Sequence, residues 1–302
     1  MSATTRGSAP RVLATGFAFL EAPRWYHGRL WFSDFNTHRV HRLDPDGTVA
    51  TVCEVPQRPS GLGFTSAGDL LVVSMLDHRL LRLRHGVLTE FADLSAYQGG
   101  PANDLVVDEF DRAYIGNFGA DTEGGEAERS TCLVRVDPDA TIHVVAEDLD
   151  FPNGMAITAD GASLVVAESL ASRITVFDLA RDGTLSNRQV WADFEPRPSA
   201  FTFAAAHDGG CVVPDGVCLD VEDALWVTDA EGHQVMRVLR GGEVTHRIDC
   251  GESTAYACVL GGPDGRSLYL CIGPPLGSYD RDTDFRGELW VADVDVPGPV
   301  AR

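Results

Sequence analysis

Short β-rich runs recur six times along this chain: Leu30–Ser33, Leu70–Val73, Ala113–Gly116, Leu164–Ala167, Leu225–Thr228 and Leu268–Cys271. Five are followed closely by a second alternating run, such as Arg39–Leu43, Arg79–Leu83 or Arg173–Phe177, and Gly287–Val294 plays that part in the sixth. Tight-turn signals, among them Asp44-Pro45-Asp46-Gly47 and Arg181-Asp182-Gly183, separate the strands. A repeat of about 40 to 60 residues built this way matches one blade of a β-propeller. A two-sheet sandwich also explains strands and turns, but it gives no reason for six related units. The expected fold class is therefore all-β: a six-bladed β-propeller with four-stranded antiparallel blades. It spans residues 11–302 as one domain, after a disordered tail at 1–10. The stretch Arg11–Phe19 has strand character, and its expected role is to complete the last blade, which removes an open sheet edge. No segment shows sustained helical periodicity.

Three stretches lengthen the repeat: Gly119–Ser130, Asp193–Cys211 and Gly273–Arg286. Long insertions in a compact fold tend to be functional loops. The apolar run Phe201–Ala206 fits two roles, a cover over a substrate or packing on the rim.

Charge narrows the partners. With 24 basic and 45 acidic residues the formal charge is −21, which argues against nucleic acid and anionic membrane surfaces. All the basic residues are Arg, so Schiff-base chemistry and a phosphate-loop lysine are excluded. Seven cysteines with no CxxC pair read as reduced thiols in a reducing compartment. The N-terminal stretch lacks an apolar signal core, and no run approaches the ~18 apolar residues of a membrane span. The expectation is a soluble cytoplasmic protein.

Laid over one another, the six units place Glu21, Ser60, Asn103, Asn153, Asp215 and Ala257 at one position. In a propeller, equivalent residues at one end of the innermost strands ring the central channel. This ring offers oxygen donors and two carboxylates, with neither sulfur nor imidazole, as a hard divalent cation requires. Taken singly, Asn-Gly and Asp-Gly are ordinary turn formers. Their equivalent placement in successive repeats is what favours a shared site, with Glu21 and Asp215 meeting across the channel.

The motifs Glu21-Ala22-Pro23-Arg24-Trp25, Asn103-Asp104, Pro152-Asn153-Gly154-Met155 and Pro214-Asp215-Gly216 resemble those of the SMP-30/gluconolactonase/regucalcin-like lactonases, which are six-bladed propellers. The resemblance runs from about Gly16 to Val294. It implies one divalent metal ion held by Glu21, Asn153 and Asp215, with Asn103 near metal and substrate. Ca2+ is the first choice, with Zn2+, Mn2+, Mg2+ and Fe2+ as alternatives. Two positions depart from the family. Pro101 stands where sugar-lactone members carry an Arg that holds substrate, and Asp121 where they carry a Glu that touches substrate hydroxyls. Asn117, in Gly116-Asn117-Phe118-Gly119, is a further polar candidate for the substrate pocket, or a turn former.

The activity implied is metal-assisted hydrolysis of a small lactone or ester. The metal would act as Lewis acid, Asp215 as ligand and general base, and Asn103 would orient the substrate or a metal-bound water. A non-catalytic calcium-binding or regulatory propeller is the reading from another class. A third keeps the site for another ester, a phosphoester or a natural product. A serine hydrolase lacks its G-x-S-x-G, and His38 and His41 are the one close His pair.

Overall fold

The computed structural model describes residues 5–6, 9–120, 126–127, 129–200, 202–278, 280 and 283–299. Their strands sort into six sheets. Blade one runs from the centre outward through Leu20–Tyr26, Arg29–Asp34, Arg39–Leu43 and Val49–Glu54. Blades two to five repeat that order, with inner strands Pro59–Phe64, Ala102–Val107, Pro152–Ile157 and Pro214–Leu219.

Blade six is closed from both ends of the chain. Thr254–Gly261, Ser267–Gly273 and Gly287–Asp293 form its inner three strands, and Arg11–Phe17 adds the fourth, with Arg11 opposite Val291 and Phe17 opposite Gly287. The expected closing strand is thus in place, and it pairs the sheet edge that would otherwise stay open. One detail differs from the expected disordered tail: Thr5–Arg6 pairs in parallel with His246–Arg247 on blade five. The rest of residues 1–8 lies outside the described residues.

The turns form as their chemistry dictates. Asp46 accepts a 2.9 Å bond from the Thr48 N–H, and Asp182 a 3.0 Å bond from the Thr184 N–H. Gly47 and Gly183 take the left-handed backbone (φ 85°) that these turns need.

The hydrophobic core is divided by blade. Each neighbouring pair of blades shares one buried cluster: Leu62 and Val72 pack with Val40 between blades one and two, and Val217 and Leu225 with Val165 between four and five. Blades six and one are joined in the same way, by Phe17, Cys271 and Leu289 against Leu30 and Phe32.

Where inner strands meet near the axis there is room only for glycine. A Cβ on Gly61 would lie 2.5 Å from the Leu105 nitrogen, one on Gly154 2.5 Å from the Asp215 carbonyl oxygen, and one on Gly216 2.5 Å from the Ala257 Cα. The Ser-Gly, Asn-Gly and Asp-Gly dipeptides therefore lie inside strands, and their glycines serve close backbone approach.

The insertion at 193–211 contains a feature that periodicity does not reveal, a short helix, Phe203–Gly209. Thr202 caps it by accepting from the Ala205 N–H at 3.0 Å, and Gly210 ends it in the left-handed region. Seven residues are too few for a helical period to show. All seven cysteines are free. No helix among the described residues is long and apolar enough to cross a membrane.

Candidate functional site

The site begins with a backbone irregularity repeated in every blade. In blades two to five the pairing of the first two strands slips between Pro59 and Leu62, Ala102 and Leu105, Pro152 and Met155, and Pro214 and Val217. Blades one and six slip between Glu21 and Arg24 and between Ala255 and Ala257. A bulge frees a residue from the ladder and re-aims its side chain. Ser60, Asn103, Asn153 and Asp215 sit inside it and Glu21, still paired with Ser33, stands at its edge, which explains why one count finds the four and a count one residue shorter finds Glu21.

Glu21, Asn103, Asn153 and Asp215 line a single cavity of about 270 Å³ at one end of the channel. The sixth position needs correction. Ala257 packs against Gly216 in the core between blades, and Tyr256 is the inner-strand residue of blade six that lines the cavity. The count along the sequence missed it by one residue. Tyr256 donates its hydroxyl to the Pro274 carbonyl at 2.6 Å.

The cavity-floor amides belong to a polar series that starts at Ser60, which does not itself line the cavity. Ser60 Oγ donates to Asn103 Oδ1 (3.3 Å), Asn103 Nδ2 to Asn153 Oδ1 (2.9 Å), and Asn153 Nδ2 to Ser169 Oγ (3.2 Å). Ser169 Oγ in turn donates to the Pro214 carbonyl at 2.7 Å. The series orients both amides through one N–H of each, Asn153 also bonds the Asp215 carboxylate, and each carbonyl oxygen keeps a lone pair. Asp215 Oδ1 is buried without a hydrogen-bond partner. An orphaned carboxylate oxygen is costly in an apolar interior and calls for a partner.

Electrostatics point the same way. Burial is the main force raising Glu21 from the usual carboxylate value to about 8; the Asp104 charge adds to it, and the Ala22 N–H and Arg24 oppose it. Asp215 is raised well above its ordinary value, first by burial, then by the charges of Glu21 and Asp104. Both carboxylates thus feel a shortage of positive charge. Asp104 has a partner of its own, because Arg24 Nη2 lies 2.7 Å from its Oδ1 and also donates to the Leu105 carbonyl. That pair ties the inner strand of blade one to that of blade three. Among the described residues no three His, Cys, Asp and Glu side chains gather as a metal cluster. A cation here would rest on two carboxylates plus neutral amide oxygens, a donor set that suits a hard divalent ion.

The wall above the floor has its own repeat, which sequence reasoning did not find. In five blades the residue after the second strand donates its N–H to the carbonyl of the residue before the first: Phe35 to Phe19, Met75 to Arg58, Phe118 to Pro101, Ser169 to Phe151, and Ala230 to Val213. All of these except Pro101 line the cavity. The last residue of the second strand anchors the connecting loop from below. Asp34 accepts from the Ala18 and Phe19 N–H groups, Glu168 from Asp150 and Asp229 from Val213.

Asn117 occupies that anchoring position in blade three. It is fully buried, its Oδ1 accepts from the Gly119 N–H (2.9 Å) and Thr131 Oγ1 (2.7 Å), and its Nδ2 donates to the Cys132 carbonyl (3.0 Å). Its side chain is spent on the loop, not on a substrate, which corrects the pocket expectation. Asp121 lies outside the described residues. In the apolar insertion Phe203 lines the cavity, while Ala206 packs with Cys211, Val213 and Tyr256.

Comparison with known proteins agrees with this architecture. Residues 19–272 match the family described as the SMP-30/Gluconolactonase/LRE-like region. Pentonolactonase XacC of Haloferax volcanii is 28% identical over 302 residues, covering 95% of each chain. The 6-deoxy-6-sulfogluconolactonase of Pseudomonas putida is 28% identical over 276 residues, covering 89% of this chain and 88% of that one. Among solved structures, the calcium-binding protein regucalcin of Agrobacterium tumefaciens shares the fold with a TM-score of 0.80 at 21% identity, over 98% of this chain and 97% of that one. With the matched residues running from the first blade to the last, this chain belongs to the SMP-30/gluconolactonase/LRE-like family.

Proposed function

We propose that this protein is a divalent-metal-dependent hydrolase that opens a small lactone. One observation carries the reading: Glu21 and Asp215 lie desolvated in one cavity beside Asn103 and Asn153, with an Asp215 oxygen that has no partner. The printed activities of the pentonolactonase and sulfogluconolactonase relatives support lactones as the substrate class.

Glu21, Asn153 and Asp215 would hold the cation. When bound, it supplies Lewis-acid polarisation of the lactone carbonyl. Asp215 takes a proton from water as that water attacks the carbonyl carbon. The ring C–O bond then breaks, and the leaving alkoxide recovers the proton, giving the hydroxy acid. Asn103, fixed by its bond to Asn153, orients the substrate beside the carboxylates. The aromatic residues of the wall exclude bulk water, which strengthens every charge interaction on the floor.

A lactone panel assayed with several divalent ions tests this, with Asp215→Asn as the blank. The variant keeps its fold and loses turnover; wild-type turnover in it overturns the assignment. A wild-type protein that melts on chelation and opens no lactone is instead a non-catalytic calcium-binding propeller.

A further inference from the structure

The cavity wall is far more apolar than a sugar ring requires. Phe35, Phe19 and Tyr256 form one aromatic triad, with ring centroids 5.3 Å and 4.6 Å apart along the series. Phe118, Phe151 and Phe203 form another, with Phe118 stacked on Phe151 at 4.5 Å and Phe203 edge-on to Phe151 at 5.4 Å. All six line the one cavity. The triads stand on different blades, the first on the join of blades six and one, the second on blades three and four with the insertion helix.

The polar inventory is short by comparison. Floor oxygens are those assigned above to the cation. Ser169 and Tyr256 have already given their hydroxyl protons to backbone carbonyls. Apart from the floor groups and these two hydroxyls, the polar side chains lining the cavity among the described residues are Asn36 and Arg58. A polyhydroxylated lactone would bring a hydroxyl on nearly every carbon. Against aromatic faces most of these would lose water without gaining a partner, which weakens binding. An alkyl or aryl group would meet the opposite balance, since aromatic walls reward apolar area and stacking.

We propose that the lactone opened here carries an apolar substituent, alkyl or aryl, seated between the two aromatic triads, with its ring carbonyl toward Glu21 and Asp215. This rests on the lactonase reading above and names its substrate class.

The test compares kcat/KM for γ-nonalactone and dihydrocoumarin with that for D-xylono-γ-lactone and D-glucono-δ-lactone, on the wild-type protein with its divalent ion. The apolar pair is favoured by about 100-fold or more, the range that pocket complementarity supplies. Phe118→Ala and Phe203→Ala each reduce that preference by about 10-fold, mainly through KM. Equal or better turnover of the sugar lactones overturns the proposal and leaves the lactonase reading standing. If no lactone is opened, the lactonase reading fails on its own. Calorimetric binding of the same compounds to the Asp215→Asn variant then still decides the pocket. Tighter binding of γ-nonalactone supports the apolar assignment, and tighter binding of D-xylono-γ-lactone contradicts it.

Discussion

Asn103 and Asn153, on the inner strands of neighbouring blades, are joined by a 2.9 Å hydrogen bond from the Asn103 amide to the Asn153 carbonyl oxygen. The bond decides which end of each amide faces the cavity. If it is removed, the Asn153 carbonyl oxygen loses the partner that fixes its direction, and the amide is free to swing that oxygen away from a cation. Asn103→Ala is therefore expected to lower divalent-ion affinity by about 10- to 100-fold, as loss of an orienting partner does. Titration calorimetry with the purified protein measures this. Unchanged affinity would show that Asn153 needs no such support.

Stability of the metal-free protein should fall as pH rises from about 5 to 8. Glu21 is raised to about 8 by burial, and Asp215 is raised in the same direction. The folded state thus holds protons that the unfolded chain has lost, and stability is lost as pH climbs through the folded value. The size of the loss is on the order of a few kcal/mol. Thermal unfolding in chelator across that window reads it. A divalent ion should restore more Tm at pH 8 than at pH 5, since metal binding competes with those protons. A flat or rising Tm for the metal-free protein would count against the shifts.

Arg24 and Asp104 form a pair in which both side chains are largely removed from water (21% and 12% exposed). Arg24→Met leaves the Asp104 charge without its partner and should destabilise the protein by about 3 kcal/mol. Adding Asp104→Leu should recover most of that loss, because the uncompensated charge goes too. Urea unfolding of the two variants measures both. If the double variant is as unstable as the single, the pair acts through packing and not through charge.

Gly154→Ala places a methyl where the Asp215 carbonyl oxygen is 2.5 Å away. The neighbouring blade has to shift, at a cost of about 1–3 kcal/mol. Because the displaced strand carries Asp215, lactone turnover should drop by more than the folded fraction does. Chemical unfolding beside kcat on the same preparation separates the two effects. A variant with wild-type stability would mean that blades four and five part without cost.

Much of this was legible in the sequence because propeller geometry repeats. Asn103, Asn153 and Asp215 share one spacing because each sits at the same bulge, and Glu21, at the edge of its own, stands one residue nearer its turn. Ala257 was taken for the sixth member because the spacing in blade six differs by one residue, so the count overran Tyr256. For Asn117 the sequence leaves a pocket role and a turn-forming role open, and its bond from the Gly119 N–H is of the second kind. Its true counterparts are the buried anchors Asp34, Glu168 and Asp229, and the match is in backbone position, not in residue type. The aromatic wall escaped for a related reason. Its positions are set by strand ends, and they hold Phe, Met, Ser and Ala in turn, so no residue pattern marks them. The Arg24–Asp104 pair joins residues far apart in sequence, and only the closed ring brings them together.

Metal stoichiometry measured together with activity tests the central claim most directly. Wild-type protein stripped with a chelator, then titrated with a divalent ion, should take up one ion per chain, with lactone hydrolysis returning in proportion to uptake. Asp215→Asn, folded by circular dichroism, should show neither the uptake nor the return. Full hydrolysis by the stripped wild-type protein, or by Asp215→Asn, would contradict the account.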